Sequence, residues 1–209
     1  MPRWIIDLSI AWLSVCTVCI IVLGFAAKRE QMAVMRFVWP ITAWYYGPFA
    51  VWAFLRNRAA RQNRSNSLET FVSATHCGAG CTLGDIIGEW AVYFAGWTLG
   101  RMLFAQYVVD FSLAYIFGII FQYYAIAPMR GLGFREGILA ALKADTLALV
   151  TFEIGLFGWM AFFQLVLFPG IQTTNIVYWL MMQIGMIIGF WTSYPMNALL
   201  LRLGIKEPM

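Results

Sequence analysis

An all-α integral membrane protein with about six transmembrane helices is the fold this sequence predicts, and three observations predict it. Of 209 residues, 62% are hydrophobic and 11% charged, against about 45–50% and about 25% in soluble domains. The 14 Lys and Arg, 10 Asp and Glu and one His are too few to cover the surface of a soluble fold of this size. The apolar residues also fall into long runs, each near or above the ~20 residues that a helix needs to cross a hydrocarbon core.

The chain reads as one membrane domain. Residues 4–27 form the first run. Asp7 stands where a cleaved signal peptide carries a basic segment, and the run outlasts the apolar core of such a peptide, so it reads as a retained helix. Residues 32–55 form the second run. The stretch 56–69, with Arg56, Arg58, Arg61 and Arg64, is too charged and amide-rich for lipid and reads as a basic cytoplasmic loop. The remaining runs are 71–99, 102–127, 138–168 and 175–201, parted by Arg101, by the segment 129–135 and by Pro169-Gly170. The third and fifth carry ionisable residues that lower their hydropathy.

Alternate crossings put Arg3, Arg56, Arg58, Arg61, Arg64, Arg130, Arg135, Lys143, Arg202 and Lys206 on one side, and Lys28, Arg29, Arg36 and Arg101 on the other. Cationic loops stay in the cytoplasm, which predicts N-in and C-in. The net charge of +4 fits an anionic membrane surface and requires no nucleic acid. The partners this leaves are the lipid bilayer, a metal ion, and a second copy or another membrane protein.

The third run is the informative one. At ~100° per residue, Gly80, Gly84, Cys77, Gly88, Cys81, Asp85 and Glu89 share about half of its circumference. Carboxyls are costly in hydrocarbon, so this face points into a bundle or a wet cavity. Gly80, Gly84 and Gly88 suit close approach of another helix backbone. Two thiols one turn apart, with His76 beside them, are a ligand set for Cu(I) or Zn(II). The competing reading is that glycines pack, cysteines fill gaps, and carboxyls are protonated or paired.

Further acids fall on other helices: Asp110 on the fourth, Asp145 and Glu153 on the fifth. With Glu89 they read as a ladder across the membrane, either a cation or proton path or a set of interhelical hydrogen bonds. On the sixth, Met181, Met182 and Met186 read as core, and Asn197 as a partner for backbone groups freed by Pro195. Cys16 and Cys19 read as small buried hydrophobes. With one His no three-His metal centre can form, and the nucleotide-binding and hydrolase motifs are absent. The chain does not read as an enzyme.

Three segments together carry a resemblance. They are His76-Cys77-Gly78-Ala79-Gly80-Cys81-Thr82-Leu83-Gly84-Asp85, then Lys143-Ala144-Asp145-Thr146 with Glu153 following, then Tyr194-Pro195-Met196-Asn197 running to Gly204-Ile205-Lys206-Glu207. In that order they resemble a bacterial multi-pass membrane family known as domain of unknown function 4396, over roughly the last two thirds of the chain. The resemblance implies a bacterial cytoplasmic (inner) membrane and no settled activity. The functional expectation is binding or transport of a soft, copper-like cation through His76, Cys77, Cys81 and Asp145. The ion path would run through Asp85, Glu89, Asp110, Glu153 and Asn197, and the alternative is a non-catalytic scaffold or assembly subunit.

Overall fold

The computed structural model describes residues 2–60 and 64–207, and among them every regular element is helical. In chain order these are α1 (Arg3–Ala26), a 3-10 turn (Ala27–Arg29), α2 (Met35–Tyr46), α3 (Pro48–Ala59), α4 (Asn66–Ala95), α5 (Met102–Arg130), α6 (Phe134–Phe162) and α7 (Ile176–Arg202). A π-helical turn, Phe163–Leu167, prolongs α6. Among the described residues, four segments are long and apolar enough to cross a membrane: Arg3–Arg29, Met102–Arg130, Phe134–Leu167 and Ile176–Arg202.

The run expected as one span at 32–55 is two helices. Gly47, at φ 53° and ψ −126°, breaks it, and Pro48 starts α3 at a position where its missing N–H is harmless. The two halves fold back on each other, because Trp39 of α2 meets Phe54 of α3 edge-on with ring centroids 5.4 Å apart. Fifteen residues of unbroken helix would hold those rings about 22 Å apart. The tip of this hairpin packs on the middle of α1: a Cβ on Gly47 would stand 3.2 Å from Cys16 Sγ and 3.3 Å from the Trp12 ring. Gly47→Ala combines that crowding with positive φ and is expected to cost about 1–3 kcal/mol. The check is the melting temperature in detergent, against Gly24→Ala, whose Cβ would meet nothing within 4 Å.

The hairpin returns the chain to the end from which it came. Arg58, near the end of α3, lines a surface cleft with Val22, Phe25, Ala26 and Arg29 at the end of α1. Arg56 lines another with Ser65, Ser67 and Leu68 at the start of α4. Tyr194 of α7 donates to the Ser67 carbonyl at 3.0 Å, and Arg130 at the end of α5 pairs with Glu207 at 2.7 Å. One end of the bundle therefore gathers Lys28, Arg29, Arg36, Arg56, Arg58, Arg64, Arg130, Arg135, Lys143, Arg202 and Lys206, and the opposite end holds Arg3 and Arg101. Both termini are expected on one side, whereas Arg3 and Lys206 lie at opposite ends of the bundle. The expected loop at 56–69 also shrinks, because α3 runs to Ala59 and α4 begins at Asn66; its residues 61–63 lie outside the described ones.

Helix α4 is the axis of the bundle. Ser65 caps it, accepting from the Leu68 N–H at 3.4 Å, and Gly96 ends it in a left-handed conformation. It packs against α5, α7, α2 and α6, which buries Thr70 and every residue from Val72 to Asp85 except Leu83. That enclosure explains how a helix too polar for the four apolar segments sits inside the bundle. Its glycine stripe lies on α5. A Cβ on Gly80 would stand 2.8 Å from Gly118 Cα, one on Gly84 would strike the Ala114 backbone nitrogen, and one on Gly88 would strike Asp110.

Candidate functional site

The buried polar residues of α4 repeat about once per turn, Ser73, His76 and Cys77, Cys81, Asp85, Glu89, and draw partners from α5, α6, α7 and the C-terminal tail. From Ser73 to Glu89 the column covers about 24 Å along the helix axis, most of a ~30 Å hydrocarbon core.

At the basic end the column holds an ion pair. After α7 the chain closes a Schellman turn: Gly204 N–H bonds Leu201 O at 3.1 Å, Ile205 N–H bonds Leu200 O at 3.0 Å, and Gly204 has φ 66°. This turn reverses the tail, so the next residue, Lys206, points back between α4, α6 and α7. Its ammonium donates to Asn197 Oδ1 at 2.8 Å, to Asp145 Oδ1 at 3.4 Å and to the Ser73 carbonyl at 3.4 Å. Both side chains of the Lys206–Asp145 pair are 0% exposed. Lys206 is the one fully buried Lys or Arg among the described residues.

One turn further in, the Cys77 and Cys81 thiols face each other, Cys77 also reaches Asp145, and Cys81 reaches Glu153. Tyr45, at the hairpin tip, directs its hydroxyl at Gly78 beside them. His76 diverges from the thiols toward Gln122 and the Phe121 ring, 6.2 Å between centroids. Neither its ring nitrogens nor the Gln122 amide atoms make a well-formed hydrogen bond. Of the four residues expected to form one metal shell, Cys77, Cys81 and Asp145 are thus neighbours, His76 stands apart, and Lys206 already sits on Asp145. Among the described residues, no three of His, Cys, Asp and Glu are spaced to share one metal ion.

The middle of the column is acidic. Asp85 and Glu89 of α4, Asp110 of α5 and Glu153 of α6 lie within one another's electrostatic reach, and each is at most 2% exposed. Neither carboxyl oxygen of Asp85 or Glu153 makes a well-formed hydrogen bond. Among the described residues, no Lys or Arg is buried with these four; Lys206 lies two turns away at Asp145.

The far end of the column is a hydrogen-bonded cluster around Glu89. Glu89 Oε1 accepts from the Tyr178 hydroxyl at 2.5 Å, and Oε2 accepts from Thr173 Oγ1 at 3.3 Å and from the Gln106 amide. Gln106 also lines a cleft of about 330 Å³ with Arg101, Gln164 and Gln172. The π-helical turn after α6 carries Gln164, whose amide donates to Tyr178 at 3.4 Å.

As site residues, Lys206, Ser73, Gln106, Gln122, Thr173 and Tyr178 are not marked by the amino acids alone. Gly204 was the available signal for Lys206, because a glycine just past a helix marks a tail that turns back. The neutral partners carried none.

Fold and site together define a class: an all-helical protein with membrane-length apolar helices wrapped around a buried ionisable column. The model of one protein family, described as "Domain of unknown function (DUF4396)", matches residues 68–206, and the chain belongs to that family. Comparison with curated proteins and with solved structures gives no match. The match covers α4 to the tail, so it takes in every column residue except Tyr45.

Proposed function

We propose that this protein carries protons through the membrane along the column from Gln106 and Glu89, through Asp110, Asp85 and Glu153, to the thiols and Asp145. The observation that carries this reading is the group of four buried carboxyls within one another's electrostatic reach, with no cationic side chain of the described residues among them. Four carboxylates held together away from water repel strongly and lose their hydration, so the group is stable only when it holds protons or a cation. Intramembrane acids of this kind mark proton relays and ion pathways. The experiment is proton uptake into liposomes containing the purified protein and a pH-sensitive dye, driven by an imposed potassium diffusion potential. Uptake above that of protein-free liposomes is the expected result. Uptake equal to theirs, with the protein folded, would favour a scaffold role.

In the bilayer, α1, α4, α5, α6 and α7 cross, while α2 and α3 form a re-entrant hairpin that enters and leaves on the basic side. That arrangement leaves two described cationic residues outside and eleven inside, and it places the N-terminus outside and the C-terminus in the cytoplasm of a bacterial cell. It also satisfies the rule that non-helical backbone at membrane depth is enclosed by protein, since Gly47 is packed on Trp12 and Cys16. A cysteine introduced at Arg3 is expected to react with an impermeant thiol reagent from outside intact cells, and one at Ser67 only after the membrane is opened. The reverse pattern at Arg3 would restore N-in.

A second reading, a Cu(I) or Zn(II) path, is favoured by one observation: the facing thiols stand between Asp145 and Glu153. On that reading, protein purified without chelator binds metal near one equivalent, and Cys77→Ser or Cys81→Ser removes it while Cys16→Ser does not. Elemental analysis and titration with each ion decide it.

A further inference from the structure

We infer that Lys206 is a working residue of this path: its ammonium is a tethered counter-ion that closes the cytoplasmic end, and the charge of Asp145 is what holds it there. The inference rests on the proton reading for its purpose, but its geometry stands apart from that reading. A lysine side chain inside a helix bundle is stable only while an opposite charge and hydrogen bonds compensate it. Lys206 has one such charge, Asp145, and two neutral acceptors, Asn197 Oδ1 and the Ser73 carbonyl. It is delivered by the segment after α7, whose other tie among the described residues is the partly exposed Arg130–Glu207 pair, and exposed pairs of that kind hold weakly.

The groups that face the ion pair are few. From α4 come His76 and Cys77, both titratable. From α5, Gly118 lies against Asp145, and Gln122 faces His76. From α7 comes Asn197. None of the three from α5 and α7 titrates. Without the Asp145 charge the ammonium has no counter-charge in the interior, and its two neutral acceptors do not hold it there, so the segment that carries it is released and the cytoplasmic end opens.

The chain has three lysines, Lys28, Lys143 and Lys206, and the first two are exposed. They serve as internal standards for reaction with a water-soluble succinimidyl ester, quantified by peptide mass spectrometry on the full-length protein in detergent. In the wild type, Lys206 is expected to be protected relative to Lys28 and Lys143. In Asp145→Asn its labelling is expected to rise by about tenfold or more, as a buried charge without its partner is expelled. Arg130→Gln, which leaves the interior untouched, gives a smaller rise and covers the case in which Asp145→Asn does not fold. Lys206 labelled as fast as the standards in the wild type overturns the inference. So does protection that persists both in folded Asp145→Asn and in Arg130→Gln. If the tail is released as expected while the wild type carries no protons into liposomes, the counter-ion stands and the proton reading of the column falls.

Discussion

Gly84→Leu is expected to yield no stably folded protein, with a loss of more than about 3 kcal/mol. At Gly84 even a Cβ would collide with the backbone nitrogen of Ala114, and a backbone cannot step aside as a side-chain tip can. Helix α5 would have to move as a unit. That movement would also separate Gly80 from Gly118 and Gly88 from Asp110, since all three contacts lie on one seam. Leu83, the preceding residue, instead lines an apolar groove of about 900 Å³ between α2 and α5. Leu83→Ala removes side-chain contacts there and is expected to cost about 1 kcal/mol. Melting temperature and elution profile in detergent read both. Equal stability of the two variants would mean that α4 and α5 are not held backbone to backbone.

Glu153→Gln and Asp85→Asn are each expected to lower proton uptake into liposomes by about 10²-fold, the usual worth of a positioned proton-transferring side chain. Each amide matches its acid in shape but cannot pass a proton on. Both positions lie mid-column, between Glu89 and Asp110 on one side and Cys81 and Cys77 on the other. Cys16→Ser, on α1 and away from the column, serves as control and is expected to keep full uptake. Folding is checked by the melting temperature of each variant. Unchanged uptake in both amide variants would remove the carboxyl group from the path.

The parts of this fold that could be read in the amino acids were those with a local cause. Long apolar runs announced α1, α5, α6 and α7, and carboxyls spaced one turn apart announced the inward face of α4. The hairpin escaped because its two halves of 12 residues each add up to one membrane-length run. Gly47-Pro48 is the punctuation that separates them, yet an apolar run of spanning length hides it. One such reversal changes the parity of every crossing before it, which is why Lys28, Arg29 and Arg36 stand at the same end of the bundle as Arg56 and Arg58, and Arg3 at the other. The acids of the site were legible because an ionisable residue amid apolar ones is conspicuous. Lys206 was not, because it lies among polar residues near the chain end, and only the turn at Gly204 sends it inward. Whether two carboxyls on different helices meet is a matter of helix packing, which no local pattern encodes.

The ion pair between Asp145 and Lys206 joins residues 61 apart in sequence, and ribosomal order gives that separation a meaning in time. At roughly 5–20 residues per second, Lys206 is synthesised about 3–12 s after Asp145. Helix α6 therefore reaches the bilayer before its counter-charge exists, and the site around Asp145 is completed only when Gly204 and Lys206 follow. A nascent chain truncated before Gly204 is a bundle complete in its helices but still without the ion pair of its basic end.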